Sequence, residues 1–392
     1  MANPSFHKKL IRITTVPMAL RYLLPGQMRF MQQNGFEVIM ISADGPELND
    51  VLQAEQCQHI IVPMTRKITP FQDLKCLIQL IKIFRKEKPD IVHSHTPKAG
   101  LLGMLAAKFS GVKVRIHTVA GMPLMVENGF KLQLLKFIEK LTYGAANHVW
   151  PNSNSLYTYI VDNKFTSTKK LNIIGKGSSN GINISRFSKE VLNENTVIEI
   201  QNGINFSPKH IYLLCIGRLV ADKGIVELVN VFTILQKKYA YLKLIVVGDY
   251  EEDLDPLPAD TMQQIKTNAD IFHIKWTQQV EYFMGIANYF VFPSHREGFP
   301  NVLLQAGAMG LPIICSRIAG NVDIVTHNQT GLIFETAKQL QMAEQIEYAI
   351  NNPAKMQAMS ASLVQIIKND YRRENIWQNM LTSYKSLLHL SI

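Results

Sequence analysis

Short apolar runs alternate with helical periods along this whole chain, and they do so in two successive series. In the first series, runs at residues 11–15, 38–42, 60–62, 91–94, 114–117 and 148–151 read as strands. Between them lie amphipathic stretches. Leu74, Leu77, Ile78, Ile81 and Phe84 follow a helical step with Lys75, Lys82 and Lys86 elsewhere on the surface, and residues 99–109 and 130–143 read as two more helices. After about residue 205 the pattern restarts, with strands expected at 211–216, 242–248, 271–273, 289–293 and 312–316. Alternating β and α units imply parallel sheets with right-handed crossovers. Two such series imply an α/β chain of two doubly wound domains, with ligands at the carboxyl ends of the strands.

The expected boundaries are 1–190 for the first domain and 191–372 for the second, because polar residues thicken and periodicity fades over 183–207. Residues 373–392 end the chain in a helix with Trp377, Leu381, Tyr384 and Leu388 on one face. A length of 392 residues suits two domains, and 47% hydrophobic against 18% charged residues describes a globular protein rather than a disordered one. The four cysteines are far apart in apolar settings, which reads as buried thiols in a reducing compartment. Residues 1–10 do not read as a secretion signal, and the uncharged run 298–316 is broken by prolines and glycines, so it reads as strand-loop-helix rather than a span.

Charge is uneven. Residues 1–190 hold 25 Lys and Arg against 12 Asp and Glu, a net of +13, whereas 191–392 hold 16 against 19, a net of −3. A basic first half suits an anionic partner such as a phospholipid surface or a lipid diphosphate; a solubilising surface is the other reading. No nucleic-acid motif accompanies the charge, and few aromatics interleave with the cations, so no nucleic-acid partner is expected.

Two segments carry the chemistry. In FPSHREGFPNVLLQAGAMGLP, residues 292–312, the carboxylate of Glu297 stands in a Gly/Pro-rich loop after an apolar strand. Asn301 can then cap a helix whose free N–H groups suit an anion such as a diphosphate. In IGRLVADKG, residues 216–224, a strand ends at Gly217 and a loop offers Arg218 and Lys223. The guanidinium fork and the mobile ammonium can together neutralise two phosphates; a pair of solvated surface cations is the bland alternative.

These segments resemble the signatures of retaining, nucleotide-sugar-dependent glycosyltransferases of family 4, which have the GT-B fold. The resemblance spans nearly the whole chain and is most specific over residues 211–334. The phosphate-binding pattern G-R-L-x-x-x-K-G is complete. The family's Glu-x7-Glu pair is not: Glu297 is followed by Gln305, which keeps the shape but loses the charge and one acceptor oxygen. The resemblance implies two facing Rossmann-like domains, with the last helix returning to the first. It implies that Glu297 lies by the transferred sugar, that Gly298, Phe299 and Pro300 line its pocket, that the N–H groups of Val302 and Leu303 meet the diphosphate, and that Gln305 meets the ribose.

In the first domain VRIHTVAG, residues 114–121, ends a strand at His117, which the resemblance makes a histidine that meets the donor sugar; a core histidine satisfied by backbone is the alternative. HSHTPKAG offers His93, His95 and Lys98, with Lys98 placed to meet an acceptor phosphate; no carboxylate spacing completes a metal site. Gly26 and Gln27 of YLLPGQMRF, and Asn180 and Gly181 of IGKGSSNGI, read as further contacts or shapers of the ligand-binding region. The acidic loop 248–258 reads as solvated surface.

The function implied is transfer of a hexose or N-acetylhexosamine, with retention, from a nucleotide sugar, UDP being the family's usual carrier. The acceptor implied is a glycan, with lipid-diphosphate-linked glycans of capsule or O-antigen assembly the closest group. No cofactor and no divalent metal are expected, since Arg218, Lys223 and the helix after Asn301 would take up the charge of the leaving diphosphate. A cytoplasmic location at the inner face of the membrane follows, with Lys82, Arg85, Lys86, Lys88, Lys131 and Lys136 docking on anionic lipid. Two other readings are a nucleotide-sugar epimerase of the same fold and a binding-only relative that has lost catalysis.

Overall fold

The computed structural model describes residues 8–251 and 255–390. The start of the chain, where a secretion signal was not expected, and the middle of the acidic loop 248–258 lie outside them. The chain divides into two compact units, residues 1–181 with 373–392, and residues 182–372.

The first unit holds a six-stranded parallel sheet of β1 (Lys8–Ile13), β2 (Phe36–Ser42), β3 (Gln58–Ile61), β4 (Ile91–His95), β5 (Val114–Val119) and β6 (His148–Pro151), in the order β3-β2-β1-β4-β5-β6. The second holds β7 (Ile211–Ile216), β8 (Leu242–Val247), β9 (Ile271–Ile274), β10 (Tyr289–Phe292), β11 (Ile313–Ser316) and β12 (Leu332–Phe334), in the order β12-β11-β10-β7-β8-β9. The two orders are the same doubly wound topology, with switch points between β1 and β4 and between β7 and β10. The strand β12 has no counterpart in the sequence reading. At three residues it is too short to show a period, and pairing with β11 makes it a strand.

Helices cover both faces of each sheet, so the strands alternate between two cores. In β1, Ile11 and Ile13 pack under the helices Pro70–Glu87, Pro97–Phe109 and Gly129–Ala145, while Leu10 points to the other core. In β7, Tyr212 and Leu214 face one core, and Leu213 and Cys215 the other. All four cysteines are free and buried, and burial pushes Cys215 up to about 12.

The first unit ends at Gly181, ahead of the expected boundary at 190. Ile182 is buried in the second core and donates its N–H to Tyr371 O at 2.8 Å, so the polar stretch that follows already belongs to the second unit. The helix Arg373–Leu387 lies in the first unit. Ile376, Met380, Leu381 and Tyr384 form its buried face. Trp377 donates through Nε1 to Asn180 Oδ1 at 2.6 Å, and Tyr384 OH lies 2.5 Å from His93 Nδ1 and 3.1 Å from Arg12 Nη1.

Asn180 is thus a junction. Its Oδ1 also accepts from Gln27 Nε2 at 3.1 Å, and its Nδ2 donates to Pro25 O at 3.1 Å. Replacing it leaves buried donors unmatched, at about 1–3 kcal/mol. Asn180→Ala should lower the unfolding free energy by about that amount in urea titrations, whereas a loss within about 0.5 kcal/mol would mean that water satisfies these groups.

Candidate active site

The second sheet brings two of the expected residues into contact at its switch point. β7 ends at Ile216, and the chain turns through Gly217 and Arg218 into the 3-10 turn Ala221–Lys223 before the helix Ile225–Lys238. Gly224 has φ 69°, and a Cβ there would stand 2.3 Å from Pro293 O. Only glycine allows the turn to press against the end of β10 in this way. Lys223 is thereby delivered to the loop after β10, where its Nζ lies 2.5 Å from Glu297 Oε1. Ser294 Oγ completes the group, 3.3 Å from Glu297 Oε1 and 3.5 Å from Lys223 Nζ. Behind it, Ser316 Oγ donates to Ser294 O, and Asn321 Nδ2 donates to Ser316 O at 2.9 Å. Ser294 and Ser316 had no sequence signal of their own beyond lying at strand ends.

Arg218 does not touch this pair. Its guanidinium meets Glu251, from the loop expected to be mere solvated surface. Both line a cavity of about 420 Å³ together with Gly217, Gly248, Tyr250 and Trp276. The cavity joins the ends of β7 and β8 to the chain after β9, and Tyr250 and Trp276 give it aromatic walls that the sequence reading did not single out.

The helix beyond Glu297 runs Asn301–Ala308. Pro300 takes the cap position and Asn301 the first helical position, with no side-chain cap; this corrects the expectation that Asn301 caps the helix. Leu303 N–H is already used, donating to Pro300 O at 3.1 Å. Of the two expected anion donors, Val302 N–H therefore remains, since the second helical position has no partner within its own helix. Gly298 and Pro300 are buried beside it, while Phe299 is a core anchor whose ring lies 5.5 Å from that of Tyr371. Gln305 is half-buried one turn into the helix.

The first unit treats its expected site residues differently. His117 is buried on the face under the helix Pro97–Phe109, with Nδ1 2.8 Å from Ser94 Oγ. A Cβ on Gly100 would stand 2.4 Å from the imidazole Cε1, so the ring fills the space that a glycine leaves. The structure thus encloses His117 in the interior beside Gly100, with one ring nitrogen held by Ser94. His95 is enclosed on the opposite face; neither of its ring nitrogens has a hydrogen-bond partner among the described residues. Lys98, expected to face an acceptor phosphate, is instead held by Asp73 at 2.7 Å and by Thr65 Oγ1 at 3.2 Å. Its ammonium pins residues 65–73 to the start of a helix. Gly26, Gln27, Asn180 and Gly181 do come together: Gln27 bonds Asn180, Gly26 donates to Glu55 Oε1 at 2.5 Å, and Gly181 donates to Ser178 Oγ at 2.9 Å.

Thr96, which the reading passed over, sits at this unit's switch point with φ 80° and ψ 145°. That region is close to glycine-only and costs about 1–3 kcal/mol. Thr15 holds it there, with the two hydroxyls 2.8 Å apart.

Among the described residues no three His, Cys, Asp or Glu side chains cluster as metal ligands.

Residues 14–153 match the model of the glycosyl transferase 4-like family, and residues 197–363 match that of the glycosyl transferases group 1. A capsular polysaccharide biosynthesis glycosyltransferase of Staphylococcus aureus, CapM, is 33% identical over 97% of this chain and 98% of its own. The chain therefore belongs to the group 1 glycosyltransferases of family 4 and is an enzyme of the hexosyltransferase class. An Escherichia coli enzyme that is a UDP-Gal:alpha-D-GlcNAc-diphosphoundecaprenol alpha-1,3-galactosyltransferase is 25% identical over 76% of both chains. The crystal structure of Anabaena HepE in complex with UDP superposes with a TM-score of 0.79 over 97% of this chain and 100% of that one, at 14% identity. The fold is GT-B.

Burial holds His117 neutral down to about 4, against an ordinary value near 6.5. The unfolded chain takes up that proton first, so stability is lost as pH falls from 6.5 to 4. Buried Glu139, raised to about 7, works in the opposite direction. In His117→Gln the loss of stability between pH 6.5 and 4.5 should shrink by up to about 2 kcal/mol, as read by denaturant midpoints at a series of pH values. An unchanged pH slope would contradict the buried neutral imidazole.

Proposed function

We propose that this glycosyltransferase takes a hexose or N-acetylhexosamine from a UDP-linked donor, with retention at the anomeric carbon. The acceptor in this reading is a glycan carried on a lipid diphosphate, in capsule or related polysaccharide assembly. The observation that carries it is the Lys223–Glu297 contact at the β7/β10 switch point, one short turn from Arg218 and its cavity. The capsular polysaccharide role of the Staphylococcus relative, the UDP-galactose donor and diphosphoundecaprenol-linked acceptor of the Escherichia one, and the UDP bound to HepE support the choice of donor and acceptor.

The residues divide the work as follows. The cavity beside Arg218 receives the nucleoside against Trp276 and Tyr250, and Arg218 exchanges Glu251 for a phosphate. Lys223 and Val302 N–H stabilise the charge that develops as the bond between the anomeric carbon and the diphosphate breaks. An acceptor hydroxyl forms the new bond on the same face, and its proton passes to the departing phosphate. Glu297 orients the sugar and supports the positive charge growing on its ring. Gln305, one turn into the helix Asn301–Ala308, meets the ribose. Because Arg218 and Lys223 supply cationic charge, transfer proceeds in the presence of a chelator. The first unit takes the acceptor, and its positive charge brings the enzyme to an anionic membrane at the cytoplasmic face.

Glu297→Ala should abolish transfer while UDP still raises the melting temperature. Lys223→Ala should weaken UDP binding about tenfold or more, the worth of one charge-assisted hydrogen bond. Wild-type transfer rates in Glu297→Ala, measured with radiolabelled donor and a lipid extract, would overturn the assignment.

Gln305→Glu restores a charged acceptor at the ribose position. It should tighten UDP binding by about fivefold in calorimetry, the difference between a neutral and a charge-assisted bond. Unchanged affinity would place the ribose elsewhere.

A further inference from the structure

The loop that carries Glu297 is fastened to its neighbours by more than Lys223. His295 N–H donates to Asp222 O at 2.9 Å, which lays the loop beside the turn Ala221–Lys223. Arg296 Nε lies 2.9 Å from Asp222 Oδ2, so the pairs Asp222–Arg296 and Lys223–Glu297 stand next to each other with opposite polarity. His295 Nε2 lies 3.0 Å from Glu227 Oε1. Glu227 is in the first turn of the helix Ile225–Lys238, whose start is fixed by the close approach of Gly224 to Pro293. His295 thus ties the loop to a rigid element.

These contacts matter most once donor is bound. In the reading above Lys223 serves the diphosphate, and its pull on Glu297 then weakens. The flanking pairs touch neither phosphate nor sugar in that reading, so they are left to hold the loop. They are unequal. The Arg296 side chain is 40% exposed, and water screens its pair with Asp222. The side chains of His295 and Glu227 are 28% and 15% exposed, so their attraction is screened less.

This pair acts only while the imidazole carries its proton. Three carboxylates face it: Glu227 from the helix, Asp222 from the turn and Asp255 from the loop after β8. All three line, with His295, a cavity of about 400 Å³. The cations on these segments are engaged elsewhere, Arg296 on Asp222 and Lys223 on Glu297. Contact with Glu227 raises His295 above its ordinary value near 6.5, against the opposing effect of burial. The charged pair is present below that raised value and is lost as pH rises through it.

We infer that His295 is a positioning residue for the transfer: through Glu227 it keeps Glu297 aimed at the sugar while Lys223 serves the diphosphate. The inference deepens the reading above and rests on it. Its consequence is a transfer rate that falls on the alkaline side as one group, His295, loses its proton.

Transfer is followed with radiolabelled UDP-sugars and a lipid extract between about pH 6 and 9.5, in the wild type and three variants. Wild-type kcat should fall at the alkaline end. His295→Gln should lower kcat about tenfold near neutral pH and lose the alkaline fall. Its donor KM should stay within about twofold, and UDP should raise its melting temperature as in the wild type. His295→Arg keeps its charge over this range, and the cavity has room for the longer side chain. It should restore most of kcat and hold it to the alkaline end. Glu227→Gln should move the fall to lower pH, because the imidazole loses the carboxylate that stabilises its charge. Any one of four results overturns the inference: no alkaline fall in the wild type, wild-type kcat in His295→Gln, a wild-type fall in His295→Arg, or an unmoved fall in Glu227→Gln. Wild-type protein that binds UDP yet transfers no sugar overturns the functional reading and the inference with it, so the two failures are told apart by whether the wild type is active.

Discussion

A parallel sheet with helices on both faces can present polar groups in one main place, the ends of its strands. Each face must be apolar to hold its helices, and the backbone of every interior strand is paired on both edges. This constraint governs both units. They share one strand order, so each has a point where the crossovers part and the strand ends stand open. In the second unit that point holds Lys223, Ser294 and Glu297. The groups reach one another because Gly224 lets the turn after β7 touch the backbone at the end of β10.

The first unit spends its polar residues on holding itself together. Arg12 is almost wholly buried, bonded through Nη1 to His93 and Tyr384, and burial lowers its own pKa and keeps His93 neutral beside it. Tyr384 comes from the last helix, so this network ties the end of the chain to its first strand. Lys98 and Asn180 do similar work, one clamping residues 65–73 and the other joining Gln27 to Trp377. Each of these bonds joins segments far apart in the chain, so leaving the arrangement strands a buried polar group. The outer surface of the same unit carries the opposite kind of feature, apolar rings in water on the helix Gly129–Ala145.

Much of this was legible in the residues. Every strand but the short β12 showed as an apolar run, because strands buried on both faces are nearly continuous in Val, Ile and Leu. Glu297 and Lys223 were each legible because each stands in a loop just past a strand, where doubly wound sheets place ligands. Other expected site residues lie away from the Lys223–Glu297 group for a common reason. His117, His95 and Lys98 also stand at strand or helix ends, but which face a strand residue takes, and what lies over it, is decided by neighbours distant in sequence. His117 turned under Gly100, and Lys98 met Asp73. The exposure of Phe130 and Phe137 was missed because an apolar residue at helical spacing reads the same whether it faces the core or water.

The sequence by itself determined the class of architecture, the family and the chemical types available at the strand ends, since periodicity and spacing are local properties of the chain. Only the tertiary structure decided which of those groups meet. It paired Lys223 with Glu297, turned Arg218 to Glu251 and its cavity, and closed His117 and His95 into the interior. Side-chain partnership depends on close packing between elements far apart in the chain, and no local pattern records it.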